Sequence, residues 1–151
     1  MADTIRETII AAALTQLAEI TVANGYQYTM ITPKRAQRAI DVRDFPVSVL
    51  FPGTEENTRG YGKDNLEFTL RVESHRVIAA SENASRIQEK MLGDLRLNLT
   101  NPADVWSTLT DDIAYTEGGP AEQPEAEDTT TAVYVLILVK YKTKIGNPYT
   151  Q

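Results

Sequence analysis

Two segments of the chain repeat apolar residues at helical spacing. In TIRETIIAAALTQLAEITVANG, Ile5, Ile9, Ala12, Ala13, Leu17 and Ile20 fall on one stripe, and Ile10 and Leu14 widen it. Thr4 stands in front of the stripe with Glu7 three residues on, a capping-box pattern, and Asn24-Gly25 supplies a stop. The pattern predicts a helix over 5–23. Alanines 11–13 raise its propensity and admit close backbone approach. In the second segment Ala84, Ile87, Met91 and Leu95 mark the inner face, Leu92 and Leu99 widen it, and Ser81 stands as the cap of a helix reaching about 98. Gly93 inside it costs about 1 kcal/mol against alanine, which a close packing contact would explain.

Elsewhere the apolar period shortens. YQYTMIT is rich in aromatic and β-branched types and reads as a strand. PKRAQRAIDVRDF is either an irregular loop or a short helix opened by Pro33. PVSVLFPG is a short strand between prolines, and TEENTRGYGKDN reads as a hairpin loop or flexible excursion. LEFTLRVESHRVI alternates cleanly, with Leu66, Phe68, Leu70 and Val72 on one face and Glu67, Thr69, Arg71 and Glu73 on the other. Beyond Val72 the adjacent Val77 and Ile78 suggest a bulge, a twist or the end of burial. NPADVWSTL reads as a turn or a turn followed by one helical turn, anchored by Trp106, and DDIAYTEGG as a weak strand.

The strongest strand signal is TAVYVLILVKYKT, close to the carboxyl end and apolar on both sides from 133 to 139. Val133, Val135, Ile137 and Val139 share one face, and Tyr134, Leu136 and Leu138 the other. Its position suggests either an unguarded sheet edge or a strand covered by a partner. The order of elements predicts a single α+β domain over 1–151: a mainly antiparallel or mixed sheet with two helices packed on one face. The other face then needs a partner or a second part of the sheet.

Composition narrows the function classes. With 151 residues and 42% apolar content the chain can bury a core. Cysteine is absent, which excludes disulfides, thiolate metal sites and a cysteine nucleophile. The first residues carry Asp3, Glu7 and Glu19, unlike a signal peptide, and the apolar runs are too short to cross a bilayer. An intracellular chain with no membrane partner is expected. The formal charge is −6, and between 111 and 128 stand seven acidic residues and no basic one. Such a surface repels nucleic acid. The stretch 117–128 adds two glycines and two prolines, so a flexible acidic loop is expected there.

Candidate chemistry is sparse. His75, the only histidine, lies on the polar side of its strand beside Glu73 and Arg71, where a structural or merely exposed role is expected. RGYGKD lacks the spacing of a phosphate-binding loop, and Asp64 stands where a hydroxyl should be; Gly60 and Gly62 read as backbone permissiveness. The acid pairs Asp111-Asp112 and Glu55-Glu56 have no apolar frame to shift a pKa and read as solvated. Asn83 and Asn98 match the glycosylation pattern, which means nothing without a secretory signal. Met91 and Trp106 read as core. No catalytic residue, cofactor or metal is expected. The basic stretch 34–43 is the best nucleic-acid candidate, but Asp41 and Asp44 interrupt it and no aromatic platform is interleaved. A complementary protein surface fits it equally well.

Several stretches together, LAEITVANGY, FPVSVLFPGTEE, SENASRIQEKMLGDL and VKYKTKIGNPYT, resemble tail terminator proteins of long-tailed bacteriophages. The resemblance spreads over most of the chain. Its most distinctive part is the end, a strand carrying Tyr141 and Thr143 followed by Gly146, Asn147, Pro148 and Tyr149. Relatives often carry Asp-Pro in place of Asn147-Pro148 and a shorter or less acidic loop before the last strand. The resemblance implies a non-enzymatic virion protein with helices against a sheet. It implies a homo-oligomer, a hexameric ring on the head-proximal end of the tail tube, that stops tube polymerisation and joins the head connector or head-completion protein. DNA would cross the ring's channel without sequence-specific binding. On that reading Lys34, Arg35, Arg38, Arg43, Tyr141, Lys142, Pro148 and Tyr149 are candidates for the subunit or tube interface. Glu117, Glu122, Glu125, Glu127 and Asp128 are candidates for a channel-facing acidic loop. The alternatives are another head-tail joining or head-completion protein, or an intracellular oligomeric adaptor. Tube proteins are built mainly on β-structure, whereas this chain has two helical patterns.

Overall fold

The computed structural model describes residues 2–31, 33–35, 42–101, 108–121 and 129–151. Helix α1 runs over Ile5–Ala18, and the Thr4 side chain accepts from the Glu7 backbone N–H at 3.1 Å. The helix stops short of 23. Ile20, Thr21 and Val22 are β-branched in succession, which disfavours continuing the turn. The Ile20 carbonyl accepts from Met30 N, and Thr21 caps a short 3-10 turn over Val22–Asn24. Gly25 closes that turn at φ 91°, a left-handed conformation that suits glycine. Ile9, Ile10, Ala13 and Leu17 are fully or nearly fully buried.

The segment after it is not a strand. The backbone N–H groups of Gln27 and Tyr28 donate to the Asp94 carboxylate at 2.9 and 3.0 Å, so a side chain from a helix takes the place of a ladder partner. The following chain adds a two-residue strand, β1 (Lys34–Arg35), parallel to β2 (Val47–Arg59). A 3-10 turn at Val42–Asp44 lies between them.

β2 is much longer than its apolar part. The polar residues after Gly53 continue the strand past a bulge between Pro52 and Glu55 and pair with β3 (Lys63–Val77) up to Arg59 opposite Asp64. The expected twelve-residue loop therefore shrinks to the turn around Gly60, Tyr61 and Gly62. Backbone pairing with β3 supplies what the side chains of this segment do not signal. β3 keeps its alternation through Ser74 and pairs without a break to Val77, so the change at Val77 and Ile78 is the strand's end.

Helix α2 covers Ala84–Thr100, and its cap is Asn83, which accepts from Arg86 N at 3.1 Å; Ser81 lies outside the helix. Ile87, Met91, Leu95 and Leu99 enter the core as their spacing predicts. Gly93 does not pack closely, because a Cβ built on it would meet nothing within 4 Å. Trp106 and its neighbours 102–107 lie outside the described residues.

β4 (Asp112–Pro120) and β5 (Thr130–Lys144) complete a five-stranded mixed sheet in the order β1-β2-β3-β5-β4. The last strand is thus no edge: β3 and β4 flank it, both antiparallel. Val133, Val135, Ile137 and Val139 face the helices and are buried, while Tyr134, Leu136 and Leu138 on the opposite face are only partly so. Both helices close one face over a single core that includes Leu50, Phe68, Leu70 and Val72. Each fully buried aliphatic there contributes about 1.5–3 kcal/mol by leaving water.

Candidate subunit interface

The helix-free face of the sheet follows from strand parity. Phe51, Arg71, Leu136 and Glu117 form one row across β2, β3, β5 and β4, and Thr69, Leu138 and Ala114 the next. Val47 and Val49, on the same side of β2 as Phe51, are buried, whereas Phe51, Leu136, Leu138 and Ala114 are partly exposed, and among the described residues no helix lies over them. Polar groups stand among and around them, with Arg71 between Phe51 and Leu136. Arg71 pairs with Glu73 at 2.8 Å and lies 4.1 Å over the Tyr134 ring, and His75 Nε2 stands 3.1 Å from Glu73 Oε2. The Phe45 ring rests on His75 with 5.4 Å between centroids, so His75 is held within a packed, hydrogen-bonded setting. The Tyr134 hydroxyl donates to Glu117. That bond, then burial, raises the Tyr134 pKa, because removing its proton would set two anions against each other.

Lys34 and Arg35 are occupied within the chain. Lys34 pairs with Asp44 at 2.8 Å. Arg35 donates to both Glu7 oxygens at 2.6 and 2.8 Å. Glu7 thereby turns its carboxylate to β1, although Thr4 still accepts from its backbone. Arg43 is exposed in the 3-10 turn Val42–Asp44, and Arg38 lies outside the described residues. Lys142 is exposed on β5, with Asp111 at 3.4 Å.

Tyr141 points inward. It is 3% exposed, its ring meets Phe68 edge-on at 6.1 Å, and its hydroxyl donates to Glu55. Burial and then the Glu55 carboxylate push its pKa well above the ordinary tyrosine range. Arg6 reaches the same place, 4.7 Å over Phe68 and 3.8 Å from Glu55. Tyr141 is therefore a core residue of its own chain, because it continues the inward phase of Val139.

The end of the chain folds back on itself. Gly146, at φ 67°, occupies a turn closed by Asn147 N to Lys144 O at 2.9 Å. Its N–H donates to Asp64 Oδ2 at 3.0 Å, and the Pro148 carbonyl accepts from Ile5 N at 2.8 Å. The Gly146 N–H, then the Asn57 side chain and Arg59, hold the Asp64 carboxyl below the usual carboxylate range against the opposing effect of burial. Segment 146–149 thus has ordered partners in its own chain, and the Tyr149 side chain remains 47% exposed.

Glu117 belongs to β4 and not to a loop, and 118–120 continue that strand. Glu122, Glu125, Glu127 and Asp128 lie outside the described residues.

Two acids that the residue pattern did not single out organise the fold. Asp64 sits in a polar, glycine-rich string, where nothing local marks it. Asp94 was legible: it falls on the inner face of α2 in phase with Ile87, Met91 and Asn98. It is 4% exposed, and burial raises its pKa while the Gln27 and Tyr28 N–H groups partly offset the rise. Among the described residues no group of three or more His, Asp or Glu side chains could hold a metal ion. No helix of the described residues is long and apolar enough to cross a membrane. Neither a protein-family model nor a curated protein sequence matches the chain.

Proposed function

We propose that the protein is a structural subunit of a phage tail, forming a ring on the head-proximal end of the tail tube. The ring stops tube polymerisation and presents the joint to the head connector, with DNA passing through its channel. The observation that carries the reading is the uneven covering of the sheet. Two helices bury one face, and the other offers Leu136 and Leu138 and, across Arg71, Phe51, with Glu73 and Glu117 around them. Partly exposed apolar side chains set among charged groups suit contact with a neighbouring subunit. The resemblance of the terminal VKYKTKIGNPYT and three other stretches to tail terminators supplies the identity of the assembly.

The test joins light scattering, negative-stain imaging and a polymerisation assay with purified tube protein. Rings that halt tube growth when added in ring-to-tube proportion support the reading. Rings that bind tail ends without halting growth favour another head-tail joining protein. A monomer without effect on tube growth refutes both.

A further inference from the structure

The string RGYGKD, which fails as a phosphate-binding loop, has another use in the fold. Arg59 and Lys63 flank the tip of the β2–β3 hairpin, and Tyr61 between two glycines is fully solvent-exposed, at 108% of its reference area. Lys63 lies opposite Lys144 on β5, and the carboxy-terminal turn follows at once with Ile145 and Tyr149, 45% and 47% exposed. One pole of the sheet thus gathers three of the large apolar side chains exposed to solvent. Among the described residues no carboxylate forms an ion pair with Lys63 or Lys144, and Asp64 at this pole accepts from Gly146 N with one oxygen and lies 3.8 Å from Arg59 Nε with the other, leaving the two lysines as the excess charge. The surface is locally basic in a chain of formal charge −6, so the rest of the molecule is more acidic than the whole.

We infer that this pole docks on a second copy of the chain, at an acidic surface, with Tyr61 as the inserted anchor. Like charges prevent the pole from meeting its own counterpart, so the contact is heterologous, head to tail. An exposed tyrosine on a tip, ringed by charge, is the side-chain type that anchors protein interfaces. Carboxylates at the same end, Asp111 beside Lys142 and Glu67 beside Lys140, break the row of cations that a nucleic acid backbone would need. The inference rests on the ring reading only for closure of the assembly.

The experiment measures mass by light scattering, over a range of protein and salt concentrations, for the wild type, Y61A, K63Q/K144Q and K63E/K144E. All three substituted side chains are exposed, and the thermal melt of each variant under monomeric conditions checks its fold. The wild type should form an assembly that weakens with salt. K63E/K144E should run as single subunits, and Y61A and K63Q/K144Q should each need about tenfold more protein to assemble. A ring that persists unchanged in all variants overturns the inference and leaves the proposed function standing. An open or small assembly lost in K63E/K144E upholds the inference and removes the ring. A wild type that stays monomeric overturns it, as does one that binds a short duplex oligonucleotide through Tyr61 and Lys63 without self-association.

Discussion

Ile5 donates its backbone N–H to the Pro148 carbonyl at 2.8 Å, so the first N–H of α1 is satisfied by a segment more than a hundred residues away. Helix N-termini leave N–H groups without intrahelical partners. Thr4 serves Glu7, and Pro148 serves Ile5. The carboxy-terminal turn reaches this position because Asp64 holds Gly146.

Asp64→Asn tests that clasp through its pH dependence. A folded-state pKa below the ordinary 3.8 contributes stability that is fully present above that value and is lost as pH falls through the depressed pKa. The variant should be less stable than the wild type at pH 7, and the difference should shrink on acidification below pH 3.8. Urea melts across this range read the effect directly. A constant difference would mean that Asp64 acts by packing alone.

Asp94 has the opposite sign. Burial raises its folded pKa, so the cost of its charge is absent below 3.8 and grows as pH rises through the raised value. Relative to Asp94→Asn, the wild type should therefore gain stability on mild acidification. Asp94→Ala leaves the Gln27 and Tyr28 N–H groups without their acceptor and should cost about 1–3 kcal/mol at neutral pH. Faster amide exchange at Gln27 and Tyr28 would locate the damage.

Gly93→Ala should stabilise the protein by about 1 kcal/mol. The glycine lies inside α2 with open space where a methyl group would go, so the backbone entropy it forfeits is not offset by packing. Chemical denaturation decides this. A destabilised variant would point to a neighbouring molecule seated on that part of the helix.

The two faces of β5 should respond differently to truncation. Ile137→Ala removes a fully buried side chain and should cost about 2–5 kcal/mol. Leu138→Ala, on the helix-free face, should change the monomer by less than about 1.5 kcal/mol and weaken assembly instead. Paired melts and light-scattering masses separate the outcomes. Equal losses of monomer stability would show that the helix-free face is already covered within the chain.

Periodicity in the sequence determined much of the framework on its own. The stripes of α1 and α2, the Thr4 cap and the alternation of β3 and β5 appear in the fold because these patterns depend on neighbours a few residues away. The inward direction of Tyr141 was present in the same parity, two residues beyond Val139. Tertiary structure alone decided the rest. The polar half of β2 is a strand because β3 supplies its ladder, and main-chain hydrogen bonds carry no side-chain signature. The aromatic segment 26–31 is no strand because Asp94 takes the N–H groups of Gln27 and Tyr28, and Met30 and Ile31 donate to the separate carbonyls of Ile20 and Pro46. β5 became internal because β4 pairs outside it, and the terminal turn came to rest on Ile5 through Asp64. These contacts join positions dozens of residues apart, where local pattern has no reach and only the closing of the sheet brings the groups together.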